Sequence, residues 1–209
     1  MGKAEENKSK KRTSLLTQAY ELFTNNGISN TSIADIASSA GVGKGTFYSY
    51  FKDKDDLIDR LIGQKAETLL LHAIVNLQTV EKNAGPDRPK AAEDKVIFII
   101  NDLITQLNEN PKLVKFLNKR LNYGFYKKAY TRDNFIGKMD INKMYHDLIF
   151  SDGSKWKNED LMLYTLVEFL SSTLHSVITE KEPVDLETYK PYLFGCVRNI
   201  MDFFKIKEE

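Results

Sequence analysis

The chain has 209 residues, of which 42% are hydrophobic, and its 30 basic and 29 acidic side chains give a net charge of +1 at pH 7. This length suits one or two domains with a buried core, and the single cysteine excludes an internal disulfide and fits a reducing compartment. No apolar run approaches the ~18 residues of a membrane span and the N-terminus is charged, so we expect a soluble cytoplasmic protein.

Charge is unevenly distributed along the sequence. Up to Lys54 there are eight basic residues against five acidic ones, so this part carries +3 and the remainder carries −2. A modest basic excess at one end is typical of a protein that contacts nucleic acid there.

The first predicted helix starts at Lys10, after a polar stretch, residues 1–9, that we expect to be frayed. Its apolar stripe consists of Leu15, Leu16, Ala19, Leu22 and Phe23. Gly27 ends the helix, which is expected to cover the next elements from behind. The basic cluster Lys10–Arg12 at its start suits either phosphate contacts or simple solvation.

Residues 31–57 predict two short helices joined by a tight turn and followed by a longer helix. Ser32 and Asp35 form a capping box, and the stripe Ile33, Ile36, Ala37, Ala40 follows it at helical spacing. Gly41 stops that helix in a left-handed conformation, and Gly43 opens the next one. In the second helix Phe47 and Phe51 share the inner face, while polar side chains remain outside. Asp53 and Asp56 form a second capping box. This arrangement is a helix-turn-helix suited to a DNA groove.

The run AGVGKGTFYSYFKDKDDL resembles the DNA-binding signature of the tetracycline-repressor (TetR) family, and the resemblance covers roughly residues 10 to 60. It implies the following DNA-facing positions: Thr31, Ser32, Lys44, Gly45, Thr46, Tyr48, Ser49, Tyr50 and Lys54. Alanine at Ala34 departs from members that place a long, base-reading polar residue there. The implied fold is all-α, with a three-helix DNA-binding domain at 1–56 and a helical ligand-binding and dimerisation domain at 57–209, about nine helices in all.

Helical spacing continues through the second part of the chain. The predicted helices cover 55–80, 93–108, a segment beginning at Pro111, 158–179 and 186–206, with a loop at 81–90 and a turn at 151–154. The last two helices carry broad apolar stripes, which suit either an intramolecular core or a two-fold four-helix interface. We favour a homodimer, because a helix-turn-helix protein usually reads two half-sites. The predicted contact residues are Leu166, Leu170, Leu174, Cys196, Val197, Ile200 and Phe204.

Aromatic residues are concentrated in the middle of the second part, in segment 121–150. They could fill a core, yet their hydroxyl groups suit a pocket for an amphipathic or aromatic ligand. The candidate lining residues are Phe98, Phe116, Tyr123, Tyr126, Tyr130, Phe135 and Tyr145. The three histidines lack metal-ligand spacing, so we assign neither a metal nor a cofactor, and Cys196 suits a core position better than a redox sensor.

No motif of an enzyme occurs in the sequence: neither a P-loop, GxSxG, HExxH nor a dinucleotide fingerprint. The pattern therefore favours a non-enzymatic regulator that binds a palindromic operator in double-stranded DNA. The resemblance implies a repressor that a small molecule releases. The alternative is a ligand-independent DNA-binding or scaffold protein whose C-terminal part only dimerises or recruits a protein.

Overall fold

The structure, a computed structural model, describes residues 2–83, 85, 89, 91–117, 146, 147 and 149–207. Within these ranges the chain is helical and has no strand, only an isolated antiparallel bridge between Trp156 and Lys205. Contacts divide the chain into two compact units, Met1–Gly63 and Gln64–Glu209. The predicted domain boundary after Asp56 falls within α4 (Lys54–Asn83), the helix that also contains the division between the units.

The first unit contains α1 (Lys3–Asn26), α2 (Ile33–Ser39), α3 (Lys44–Tyr48) and the start of α4. Its buried core joins the predicted stripes of these helices: Leu15, Leu16, Ala19, Phe23, Ile36, Ala37, Phe47, Phe51, Leu57, Ile58, Leu61 and Ile62. The predicted all-α fold with an N-terminal helix-turn-helix is confirmed.

Helix α1 begins earlier than its apolar pattern predicts. It starts at Lys3 rather than Lys10, with Gly2 in an extended conformation before it. The expectation of a frayed segment was therefore wrong. The added turns contain good helix formers, with Glu5 and Glu6 near the positive end of the helix dipole and an ion pair of 2.7 Å between Glu6 and Lys10. A helix can thus form there without an apolar face.

The predicted boundaries of α2 are confirmed. The Ser32 N–H donates to Asp35 Oδ2 at 2.8 Å, and the Asp35 N–H donates to Ser32 Oγ at 3.1 Å, which completes the capping box. Gly41 has φ of +68°, a conformation that costs glycine little, and it turns the chain towards α3. The second box is partly different, because the Asp56 N–H donates to Asp53 whereas the Asp56 carboxylate accepts from the Lys52 N–H.

The second unit contains the rest of α4, α5 (Ala92–Asn108), α6 (Pro111–Leu117), a 3-10 turn (Phe150–Asp152), α7 (Glu159–Thr179) and α8 (Leu186–Phe204). Its core is built from Ala73, Ile74, Leu77, Ala92, Val96, Ile99, Ile100, Ile104, Ile149, Trp156, Met162, Leu166, Leu193, Val197, Met201 and Phe204. Helix α4 continues to Asn83, so residues 81–83 are helical and not part of the predicted loop.

Two polar clusters join α4 to α5 inside the second unit. Lys95 is only 4% exposed, and its Nζ lies 2.8 Å from Glu81 Oε1 and 2.6 Å from Ser151 Oγ. Asp102 accepts from Asn76 Nδ2 at 2.8 Å and Gln106 Nε2 at 2.6 Å. Because a buried charge is costly unless it is paired, the Lys95 contacts fix where α4 ends against α5.

Helix α7 is more apolar than we predicted from the sequence. Over 18 residues its mean hydropathy is 1.4, which is enough by length and composition for a membrane span, so the prediction that no such run exists was wrong. Only 17% of that window is buried within the chain. Core helices of soluble proteins meet the same criteria, so one such helix is weak evidence for a membrane span.

Candidate DNA-binding surface

Helix α3 separates an inner apolar face from an outer polar one. Phe47 is fully buried, and its ring centroid lies 5.4 Å from that of Phe51, which confirms that the two share the inner face. Lys44 and Gly45 are exposed on the other side. Tyr48 is 51% exposed despite its large ring, and Thr46 is partly exposed. The helix thus presents a cation and two hydroxyl groups on a rigid hydrophobic base.

The end of α3 adds two further polar side chains to this outer side. Ser49 is exposed, and its Oγ donates to the Gly45 carbonyl at 3.3 Å. Tyr50 is partly exposed, with its ring centroid 6.4 Å from that of Phe51. Both lie where the chain leaves α3 for α4, so they border the polar face of the helix.

Three predicted DNA-facing residues lie in the loop before α2 or against it, and each is used differently. Thr31 is 2% exposed, and its hydroxyl donates to the Gly27 carbonyl at 2.9 Å, so its side chain supports the loop from inside. Ser32 is exposed, but its hydroxyl donates to Asp35 at 2.7 Å. Lys54 Nζ donates to the carbonyls of Ile28 at 3.0 Å and Thr31 at 3.2 Å. An ammonium has three donors, so one remains for a phosphate.

Ala34 lies on the exposed side of α2. Alanine offers only a methyl group, which cannot donate to or accept from a base edge. Ala34 therefore offers no hydrogen bond for base reading.

Sequence reasoning missed Arg60 at the start of α4, and it named Arg12 only within the basic cluster at the start of α1. Arg60 Nε donates to Asp56 Oδ1 at 3.0 Å, and its guanidinium lies 5.9 Å from the centroid of the Phe51 ring. Burial lowers the pKa of Arg12, nearby Arg60 lowers it further, and Asp56 opposes both. Among the described residues, Arg12 Nη2 is buried and has no hydrogen-bond partner. The i, i+4 spacing of Asp56 and Arg60 was the available signal.

Comparison with known proteins agrees with this geometry. Residues 15–61 match the family model described as "Bacterial regulatory proteins, tetR family". An HTH-type transcriptional regulator of Staphylococcus aureus strain USA300 is 28% identical over 184 residues, which span 85% of this chain and 86% of that protein. The chain therefore resembles the tetR family in its helix-turn-helix segment. The matched model describes bacterial regulatory proteins, and this relative is a transcriptional regulator.

Solved structures show that the likeness of fold extends beyond the matched segment. Thermus thermophilus FadR, a TetR-family repressor solved with lauroyl-CoA, is 17% identical with a TM-score of 0.63, over 95% of this chain and 97% of that one. A TetR-family regulator from Mesorhizobium loti is 16% identical with a TM-score of 0.57, over 95% and 98% of the two chains. The fold of the described residues is therefore similar to that of these two regulators.

The predicted pocket residues of this protein fall mainly outside the described part. Phe98 is partly exposed on α5, and Phe116 is buried on α6. Tyr123, Tyr126, Tyr130, Phe135 and Tyr145 lie outside the described residues. The predicted pocket thus stays a prediction.

The predicted dimer residues divide between the core of the chain and its surface. Leu166, Val197 and Phe204 are buried within the second unit. Leu170, Leu174 and Ile200 are partly buried and pack against the same core. Cys196 is exposed. The sequence pattern did not separate these inner residues from the outer aromatic side chains of α8, Tyr192 at 71% and Phe203 at 75% exposure.

Proposed function

We propose that this protein is a cytoplasmic, ligand-responsive repressor that binds a palindromic operator as a homodimer. The observation that carries the proposal is the polar outer face of α3, fixed on buried Phe47 and Phe51. Lys44 supplies charge for a phosphate, and Thr46 and Tyr48 supply hydroxyl groups for phosphates or base edges. A single α3 reads one half-site, so specific binding requires a second copy.

The outer side of the last two helices is the proposed dimer interface. On α8 the exposed residues Tyr192, Cys196, Asn199 and Phe203 follow one another at helical spacing, so they form one face. Leu161 and Tyr164 on α7 are also exposed. These apolar surfaces are unusual on a monomer, and a second copy would bury them in a four-helix arrangement. The proposed partner at this interface is a second copy of the chain, because two half-sites require two identical DNA-binding units.

Helix α4 is the proposed route by which a small molecule releases DNA. It is one continuous helix of 30 residues, which is about 45 Å at a rise of ~1.5 Å per residue. Its second half is tied to α5 through Lys95–Glu81 and the Asp102 cluster. A ligand held by α4, α5 and segment 121–150 would displace α4 as a rod, and a small tilt would change the separation of the two recognition helices.

Lauroyl-CoA is the first compound to test as an effector. It is amphipathic, and a chain of this fold, Thermus thermophilus FadR, was solved in complex with it. Release then requires that lauroyl-CoA and operator favour different spacings of α3 in the dimer, which makes their binding free energies interdependent.

The experiment that tests DNA recognition is selection of duplexes from a randomised pool by the full-length protein. Two inverted half-sites with centres about 10 base pairs apart, or a multiple of the helical turn, are expected. The matched control is the Lys44→Ala/Tyr48→Phe variant, which should enrich the same duplexes poorly. A wild-type protein that enriches no sequence would contradict the proposed function, and enrichment of a single half-site would contradict the dimer.

A further inference from the structure

The start of α4 is bonded to both ends of the helix-turn-helix. Lys54 Nζ donates to the carbonyls of Ile28 and Thr31, in the loop before α2. The Lys52 N–H, where the chain leaves α3, donates to Asp56 Oδ2 at 3.0 Å. The first turn of α4 therefore holds the entry to α2 with one side chain and the exit from α3 with another.

Arg60 lies one turn further along α4 and orients the Asp56 carboxylate. Its Nε donates to Asp56 Oδ1 at 3.0 Å, so the two oxygens of Asp56 join Arg60 to the Lys52 N–H. The Arg60 and Asp56 side chains are only 24% and 14% exposed, so water screens this pair less than a fully exposed one. The Arg60 guanidinium also lies 5.9 Å from the ring centroid of buried Phe51, within the range of a cation–π contact. Arg60 thus contacts both the carboxylate and the ring that hold the exit from α3.

Helix α1 contributes a second guanidinium to the same cluster. Burial lowers the pKa of Arg12, the charge of Arg60 lowers it further, and the charge of Asp56 raises it, so Arg12 lies close to both groups. The cluster therefore joins α1, the exit from α3 and α4 within the first unit. Helix α3 has only five residues, which is too short to be stable alone, so its orientation depends on such contacts.

We propose that Arg60, acting through Asp56, is a positioning residue that fixes the orientation of α3 in the free protein and thereby sets the specificity of DNA binding. This inference rests on the proposed operator binding. Specific binding needs α3 in one orientation, whereas non-specific binding depends on phosphate charge. When α3 is already fixed, binding the operator requires no further ordering of this segment. Loss of the Asp56–Arg60 pair should therefore weaken operator binding more than non-specific binding.

The test measures the ratio of operator affinity to random-duplex affinity for the full-length protein and its Arg60→Gln variant. Glutamine is a good helix former, so the variant keeps α4. A changed net charge affects both duplexes alike, so the ratio reports on the orientation of α3. The ratio should fall roughly 10-fold for each half-site bound, which is the order of one lost hydrogen bond to a charged group. Fluorescence anisotropy at several salt concentrations measures the affinities, and thermal melting followed by circular dichroism shows that each variant is folded at the assay temperature.

Two further variants show whether Arg60 acts through Asp56. Asp56→Asn breaks the same ion pair without removing the arginine beside Phe51. It should lower the ratio by a similar factor, and it decides the question if Arg60→Gln does not fold. The double variant should lose no more than the larger single loss, because effects within one network are not additive. The matched control is Arg198→Gln, which breaks an ion pair of 2.9 Å with Asp94 in the second unit and should leave the ratio unchanged.

The outcomes separate the positioning role from operator binding itself. If Arg60→Gln and Asp56→Asn both keep the wild-type ratio while the wild type prefers its operator, the positioning role is wrong and operator recognition stands. A salt slope for Arg60→Gln that falls in magnitude by about 1 for each protomer would make Arg60 a phosphate contact and would overturn the proposal. Additive losses in the double variant would show that Arg60 does not act through Asp56. A wild-type protein that prefers no duplex would overturn both proposals.

Discussion

At the scale of single residues, the proposed DNA recognition gives Lys44 and Tyr48 different parts. Both are exposed on α3, whose backbone is fixed by buried Phe47. A lysine neutralises phosphate regardless of sequence, whereas a tyrosine hydroxyl adds one neutral hydrogen bond.

Replacing Lys44 with alanine should therefore weaken binding to every duplex and lower the magnitude of the salt slope by about 1 for each protomer. Tyr48→Phe should cost only ~0.5–1.5 kcal/mol. Fluorescence anisotropy at several salt concentrations measures both. Lys82→Ala, at an exposed lysine near the end of α4, is the control. If Lys44→Ala bound the operator with unchanged affinity, the proposal that α3 lies in the DNA groove would be wrong.

The capping box of α2 predicts a pH-dependent contribution to stability. Hydrogen bonds from the Ser32 side chain and backbone lower the pKa of Asp35 below its ordinary value of 3.8. A lowered pKa in the folded state means that the contribution is present above about pH 4 and is lost as the pH falls through the folded pKa. The urea midpoint of the wild type should thus exceed that of Asp35→Asn near neutral pH. A difference that stays constant down to pH ~2 would contradict this role.

At the scale of elements, the apolar residues of α7 and α8 lie on two faces, one towards the core and one outwards. Leu166 and Val197 fill the core of the second unit, whereas Tyr192 and Phe203 point outwards. The apolar stripe in the sequence was broad because it covers both faces. Leu170 and Ile200 pack against the core, so a charge there would disturb folding as well as assembly.

Phe203→Glu should convert the homodimer to monomers and abolish specific operator binding, because it places a charge on an exposed face without opening the core. Sedimentation velocity at micromolar concentration measures the assembly state. Val75→Glu makes a matched change at an exposed apolar residue of α4 and should remain dimeric. If the wild type is itself a monomer, the proposed interface does not exist.

At the scale of the whole molecule, α4 is the element that both units share. Effector release requires that ligand and operator each shift the same equilibrium. Such coupling is reciprocal and typically ~1–3 kcal/mol, or about 5- to 150-fold in affinity.

Lauroyl-CoA should bind the free protein more tightly than the operator complex, by a factor within that range if it is an effector. Isothermal titration with and without the selected duplex measures the ratio. Operator affinity should fall by the same factor in saturating lauroyl-CoA, which provides an internal check. Binding with equal affinity in both titrations would refute release by this compound. If no amphipathic compound binds, the alternative of a ligand-independent DNA-binding or scaffold protein gains support.

The sequence by itself determined the helix-turn-helix, because its signals are local. The Ser32–Asp35 box, left-handed Gly41 and the spacing of Phe47 and Phe51 each depend on residues within one or two turns, and the structure confirms all three. Helix α5 and the caps of α7 and α8 were predictable for the same reason.

Only the tertiary structure decided how side chains on a correctly predicted helix are used. Thr31 and Lys54 look like surface residues, yet one is buried and the other is bound to two carbonyls contributed by the loop before α2. The stripe on α8 could not reveal that Val197 faces the core while Phe203 faces outwards. Periodicity records that a residue is apolar, but burial depends on which distant segment packs against it.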